Sequence, residues 1–179
     1  MKATFLSRSR TAAGFTLIEV LIVLGIMGIF MLVSYPSIMN TMAARNLDNS
    51  TREIQTFMQQ TKLRAVDTKI IHRVRFYLAD EGYWAYEMER LQMDGTWVRA
   101  DGAPRKVIPN RLNVTISLPP SGADHIVIFS PVGAFVNFVA NQNSIVLQSP
   151  KVDRPGQMDE RVLSLFMGGS IHYAKRKST

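Results

Sequence analysis

Twenty-one residues from Phe15 to Tyr35 (FTLIEVLIVLGIMGIFMLVSY) hold sixteen apolar or aromatic side chains and one charge, Glu19. A helix of that length rises about 30 Å, the thickness of a bilayer core, so the run is read as a membrane span. Ahead of it stands MKATFLSRSRTAAG, with Lys2, Arg8 and Arg10 and no acid. A positive flank of this kind stays in the cytoplasm, which places everything beyond Tyr35 on the far side of the membrane. A secretory signal would end its apolar stretch in small residues before the cleavage site. Here the order is inverted, because the small residue Gly14 lies between the basic leader and the apolar run. Glu19 is the anomaly in the span, since a carboxylate in lipid costs several kcal/mol and marks a functional position by default. Its place in the first turns of the helix lets the positive end of the helix dipole offset a little of that cost. Pro36 closes the run, and a proline there removes a backbone hydrogen bond and kinks or opens the preceding turn.

Beyond the span, composition sets further bounds. The chain has 21 basic and 14 acidic residues, a formal +7, but 18 against 14 remain beyond Gly14, a surplus of only +4. That is too small to announce a nucleic-acid binder by itself. There is no cysteine, which excludes disulfides, thiolate metal sites and a cysteine nucleophile. No glycine or proline interrupts Ser37 to Asp67, where Ile38, Met42, Leu47, Ile54, Phe57, Met58 and Ala65 recur at helical spacing among polar residues. This predicts an amphipathic helix over 37–68 with its apolar stripe against a sheet.

From Ile71 the period changes to two, with Val74, Phe76 and Leu78 on one face and Arg73, Arg75 and Tyr77 on the other. Further strands are expected at Tyr83 to Leu91, Leu112 to Leu118, His125 to Ser130, Ala134 to Val139, Ser144 to Gln148, Arg161 to Met167 and Ser170 to Lys175. Asp94-Gly95 and Gly168-Gly169 are hairpin signals between them. The expected fold is therefore α+β: a long N-terminal helix, half membrane-spanning and half amphipathic, packed on an antiparallel β domain over 69–179.

No constellation for catalysis stands out. His72, His125 and His172 are isolated and read as surface or sheet-edge residues, and no metalloprotease, nucleophile-elbow or phosphate-loop motif occurs. The acids Asp80, Glu81, Glu87 and Glu89 surround a predicted hairpin and read as a solvated face. No cofactor and no metal are expected. The basic end is the remaining feature: Lys175, Arg176 and Lys177 follow the last strand, with Arg161 on its partner, a mixed basic and aromatic surface of the sort that can track a phosphate backbone.

The string Gly14-Phe15-Thr16-Leu17-Ile18-Glu19 ahead of about twenty apolar residues resembles the processing site of type IV prepilins and pseudopilins. The resemblance implies cleavage after Gly14 by a membrane-embedded prepilin peptidase, N-methylation of Phe15 and retention of the helix over 15–36 in the mature protein, the leader 1–14 being lost. It further implies that Glu19 pairs with the N-terminal amine of a neighbouring subunit, and that Pro36 matches a proline often found at this place in pilins. The C-terminal pattern, a strand turning at Pro131-Val132-Gly133 and a closing hairpin with a glycine turn, is similar to the GspH/FimT family of minor pseudopilins and minor pilins. The role implied is a structural one, not an enzyme: a single-pass inner-membrane subunit with a periplasmic domain, joining other pilins or pseudopilins in a type IV pilus or type II secretion pseudopilus. The alternative is a DNA-binding minor pilin, with Arg161, Lys175, Arg176 and Lys177 as candidate contacts. The family's DNA element, Gly-Arg-x-Arg, is here Gly169-Ser170-Ile171-His172, lacking both arginines.

Overall fold

The computed structural model describes residues 14–80, 82–152 and 156–178; the leader up to position 13 and the acid Glu81 lie outside these. The chain divides into two compact units, Met1–Met39 and Asn40–Thr179. One helix, α1 (Leu17–Thr68), enters both, its assignment continuing across position 36. Within the first unit, the described side chains from Gly14 to Met39 are exposed, and the helix is long and apolar enough there to cross a membrane.

In the second unit α1 buries Leu47, Ile54, Phe57, Met58 and Ala65, the expected stripe without its first members. Met42 is exposed, as is Ile38 in the first unit. Two threonines join the stripe instead. Thr51 and Thr61 are fully buried, each donating its hydroxyl to the carbonyl four residues back, Leu47 at 2.8 Å and Phe57 at 2.9 Å. That internal hydrogen bond lets a polar residue occupy a core position.

Among the described residues, the strands are β1 (His72–Leu78), β2 (Trp84–Leu91), β3 (Trp97–Arg99), β4 (Lys106–Val107), β5 (Asn113–Ser117), β6 (Pro120–Ser121), β7 (Asp124–Phe129), β8 (Ser144–Gln148), β9 (Glu160–Leu165) and β10 (Ile171–Arg176). They form two antiparallel sheets, one ordered β3-β2-β1-β7-β6 with β4 also on β2, the other β10-β9-β8-β5. The helix stripe and both inner sheet faces share one core, in which Tyr86 lies edge-on to Phe57 at 5.0 Å and stacks with Phe76 at 5.5 Å.

Three expectations are corrected. The strand at Ala134 to Val139 does not form. That segment makes only isolated bridges, Phe129 with Phe135 and Val139 with Gln142. A side chain takes over part of the ladder: beside the backbone bond from the Val136 N–H to the Ile128 carbonyl, Asn137 accepts from the Ile128 N–H at 2.8 Å and donates to the Ile126 carbonyl at 3.0 Å, satisfying the edge of β7 without a strand. Second, Glu87 and Glu89 are no solvated face; they are 4% and 7% exposed. The register sets Arg73 opposite Glu89 and Arg75 opposite Glu87, so arginines lie across the acids. Arg73 Nε meets Glu89 at 2.5 Å, Arg99 Nε meets Glu87 at 3.3 Å, and Arg75 reaches Glu87, Glu89 and Asp124. Burial alone would lower the Arg75 pKa, but its bond to Glu87 and the surrounding carboxylates raise it above the ordinary value. Third, His72 is buried, its Nδ1 2.9 Å from the Ile70 carbonyl, whereas His172 is exposed as expected.

Candidate functional site

The junction Gly14-Phe15 precedes the first helical residue, and both residues are exposed in non-helical backbone. Thr16 is the reason the helix starts where it does. Its hydroxyl accepts from the Glu19 N–H at 3.3 Å, and its carbonyl accepts from the N–H groups of Glu19 and Val20. It is thus the N-cap, with Glu19 in the first turn. The apolar pattern does not single Thr16 out; the Thr-x-x-Glu spacing, a capping-box signature, is the signal that does. The arrangement leaves the peptide bond after Gly14 outside the helix and holds the one acid of the span close to the chain start a cleavage would create.

The four basic residues at the other end are brought together, but mostly for internal use. Strand β10 runs antiparallel to α1: Lys62 Nζ donates to the Gly169 carbonyl, Gln55 to the Ile171 carbonyl, Arg52 covers the Tyr173 ring at 4.9 Å, and Asp48 meets Lys175. Asp48 is the hub. Its Oδ1 accepts from Arg161 Nε at 2.5 Å and from the Tyr173 hydroxyl at 2.6 Å, and its Oδ2 accepts from Lys175 at 3.3 Å. Burial pushes the Asp48 carboxyl upward, but the bonds from Tyr173, Arg161 and Lys175 outweigh it and hold the group below the usual range. Burial and the same bond push the Tyr173 hydroxyl up to about 12. Arg161 is 3% exposed, so it belongs to the core. Arg176 pairs with Glu160 at 2.8 Å, while Lys177 is exposed with no partner among the described residues. The tail is pinned beyond that point, since Ser178 donates its N–H and its hydroxyl to Asp159.

The two turns noted in the sequence also meet. Phe135 N–H donates to the Met167 carbonyl at 3.0 Å, and the Gly133 carbonyl lies against Gly169, where an added Cβ would stand 1.9 Å from it.

Comparison with known proteins gives two findings. The prokaryotic N-terminal methylation motif, the type IV pilin signal, matches residues 9–35, which hold the Gly14-Phe15 junction, Glu19 and the apolar run. Among solved structures, the crystal structure of the Pseudomonas aeruginosa (strain PAO1) type IV minor pilin FimU is similar with a TM-score of 0.48 and 16% identity, over 73% of this chain and 90% of that one. No curated protein matches the chain.

Proposed function

We propose that the chain is a structural subunit of the pilin type, a minor pilin or pseudopilin, with no chemistry of its own. A prepilin peptidase removes residues 1–14, Phe15 becomes the N-methylated first residue, and the subunit waits in the inner membrane with its β domain in the periplasm until it joins other pilins in a type IV pilus or a type II secretion pseudopilus. The observation that carries this reading is the methylation motif on a helix that begins just after a non-helical Gly14-Phe15 bond and enters a folded domain. The DNA-binding alternative is weaker, because Arg161 is buried and Lys175 and Arg176 already have carboxylate partners.

The test is Gly14→Val. A branched side chain at the cleavage position obstructs a peptidase site without touching the apolar run, so the variant is expected to insert and to remain a precursor about fourteen residues longer by mass spectrometry. A normally shortened product would remove the reading.

A second expectation concerns Glu19→Val. The Thr16 cap uses the backbone N–H of residue 19, so valine keeps the helix start, and loss of the charge makes insertion easier. Cleavage and anchoring are therefore expected to persist while the subunit disappears from sheared filaments. Equal recovery of wild type and variant in the filament fraction would show that the carboxylate has no assembly role.

A further inference from the structure

The hairpin between β2 and β3 ends in an apolar side chain beside an acid. Met93 at the tip is fully exposed, and Asp94 follows it. The tip is tightly tied. Gln92 N–H donates to the Thr96 carbonyl at 2.8 Å and Gly95 N–H to the Gln92 carbonyl at 3.1 Å, while Asp94 Oδ1 accepts from the Thr96 N–H at 2.9 Å and from its hydroxyl at 2.6 Å. The hydroxyl bond first, then the backbone one, hold the Asp94 carboxyl below the usual range, so it is an anion at neutral pH. A tip ordered in this way loses little conformational freedom when it docks.

The same unit holds a cavity of complementary character. Between α1 and the loop that leads into β4 lies a space of about 510 Å³, the size of a ligand site, walled by Phe57, Leu63, Met88 and Pro104 and reached by Arg64 and Lys106. Leu63 is 65% exposed, so the apolar wall is left uncovered. No acid lines the cavity among the described residues. Lys106 is matched by Glu53 at 2.8 Å, but Arg64 donates its Nη1 to the Asp101 carbonyl at 2.7 Å and otherwise meets only the Met88 sulfur at 3.9 Å. Arg73, Arg75, Arg99 and Arg161 each meet a carboxylate, whereas Arg64 has none among the described residues. Its planar fork carries further donors, shaped to receive one.

We propose that this cavity receives the β2–β3 hairpin tip of a second copy of the chain, Met93 entering against Phe57, Leu63 and Met88 while Asp94 pairs with Arg64. The two surfaces complement each other twice over. An unbranched thioether side chain adapts to an irregular apolar wall, and a fixed carboxylate meets a guanidinium that lacks one. Because Met93 is fully exposed, the tip does not fill the cavity of its own chain. Tip and cavity both belong to the second unit, so the proposal stands apart from the pilin reading.

The chain has no cysteine, so single cysteines report the contact. Full chains carrying Leu63→Cys or Met93→Cys, each with its own affinity tag, are mixed in detergent and oxidised with copper phenanthroline. Both positions are exposed, so the core is untouched. A disulfide needs Cα atoms within about 7 Å. The mixed dimer is therefore expected to exceed that of Leu63→Cys with Val132→Cys, another turn residue, 85% exposed. Arg64→Lys on the Leu63→Cys chain should keep most of the product, and Arg64→Glu should lower it about tenfold or more, because like charges then meet. Adding Asp94→Lys to the Met93→Cys chain should restore the product against Arg64→Glu. A mixed dimer no more abundant than the Val132 control, a yield indifferent to Arg64→Glu, or a double reversal that restores nothing overturns the proposal. Saturable binding of decanoate at Arg64 with no mixed dimer also overturns it, and assigns the cavity to a small carboxylate.

Discussion

Gly169→Ala is expected to destabilise the β domain by about 3 kcal/mol, from a left-handed backbone penalty of about 1 kcal/mol and an overpacking cost of about 2. Gly169 sits at φ +74°, and its added Cβ would lie 1.9 Å from the Gly133 carbonyl oxygen. Neither atom is on a rotatable side chain, so relief requires the two turns to part. Parting breaks the Phe135-to-Met167 bond and lifts both loops from Lys62, which donates to the Gly169 carbonyl. For a domain of this size the melting midpoint should fall by roughly 10 °C, read by near-UV circular dichroism. Gly168→Ala is the control, because nothing lies within 4 Å of a Cβ there. If both variants melt together, the close approach of the two turns is not a stability determinant.

The second large effect is at Asp48. Asp48→Ala should cost about 3 to 5 kcal/mol, because it leaves Arg161, whose side chain is 4% exposed, as an uncompensated buried charge. The Tyr173 hydroxyl loses its acceptor in the same step. Replacing both ends of the pair, Asp48→Ala with Arg161→Met, should recover most of the loss, since an apolar pair needs no solvation. Urea denaturation of the three forms measures this, and an additive double variant would show that the two residues act independently. The same hub sets a pH profile. The folded-state pKa of Asp48 is lowered, so its stabilisation is present above the unfolded value near about 4 and is lost as pH falls through the folded one. Tyr173 is raised from 10.0 to about 12, so its contribution is present below pH 10 and is lost as pH rises toward 12. Wild type should therefore weaken on both sides, and Asp48→Ala should show shallower slopes on both, because burial still raises Tyr173 and the bonds from Gln148 and Ser178 still lower Asp159.

Much of this molecule is written in short-range patterns. The apolar run, the Gly14-Phe15 junction and the glycine hairpin at Gly168-Gly169 depend on neighbours within a few residues, and such signals survive any tertiary context. Alternation in 72–78, 113–117, 124–129 and 144–148 places strands for the same reason. Thr51 and Thr61 escape the pattern because a hydroxyl bonded to the carbonyl four residues back behaves as an apolar side chain does, a fact no hydropathy value holds.

What the amino-acid order determined alone is the long apolar run, the methylation motif around Gly14-Phe15, the long helix and the presence of an antiparallel β domain. Only the tertiary structure decided the fate of its charges. Glu87 and Glu89 became buried because strand register set arginines across them, and register is a relation between strands. Asp48 became the hub of the basic end because the chain returns to it after 113 residues at Arg161 and 127 at Lys175. Coulomb energy and desolvation depend on distance and burial, and neither quantity exists for a charged residue until its distant partners have been brought beside it.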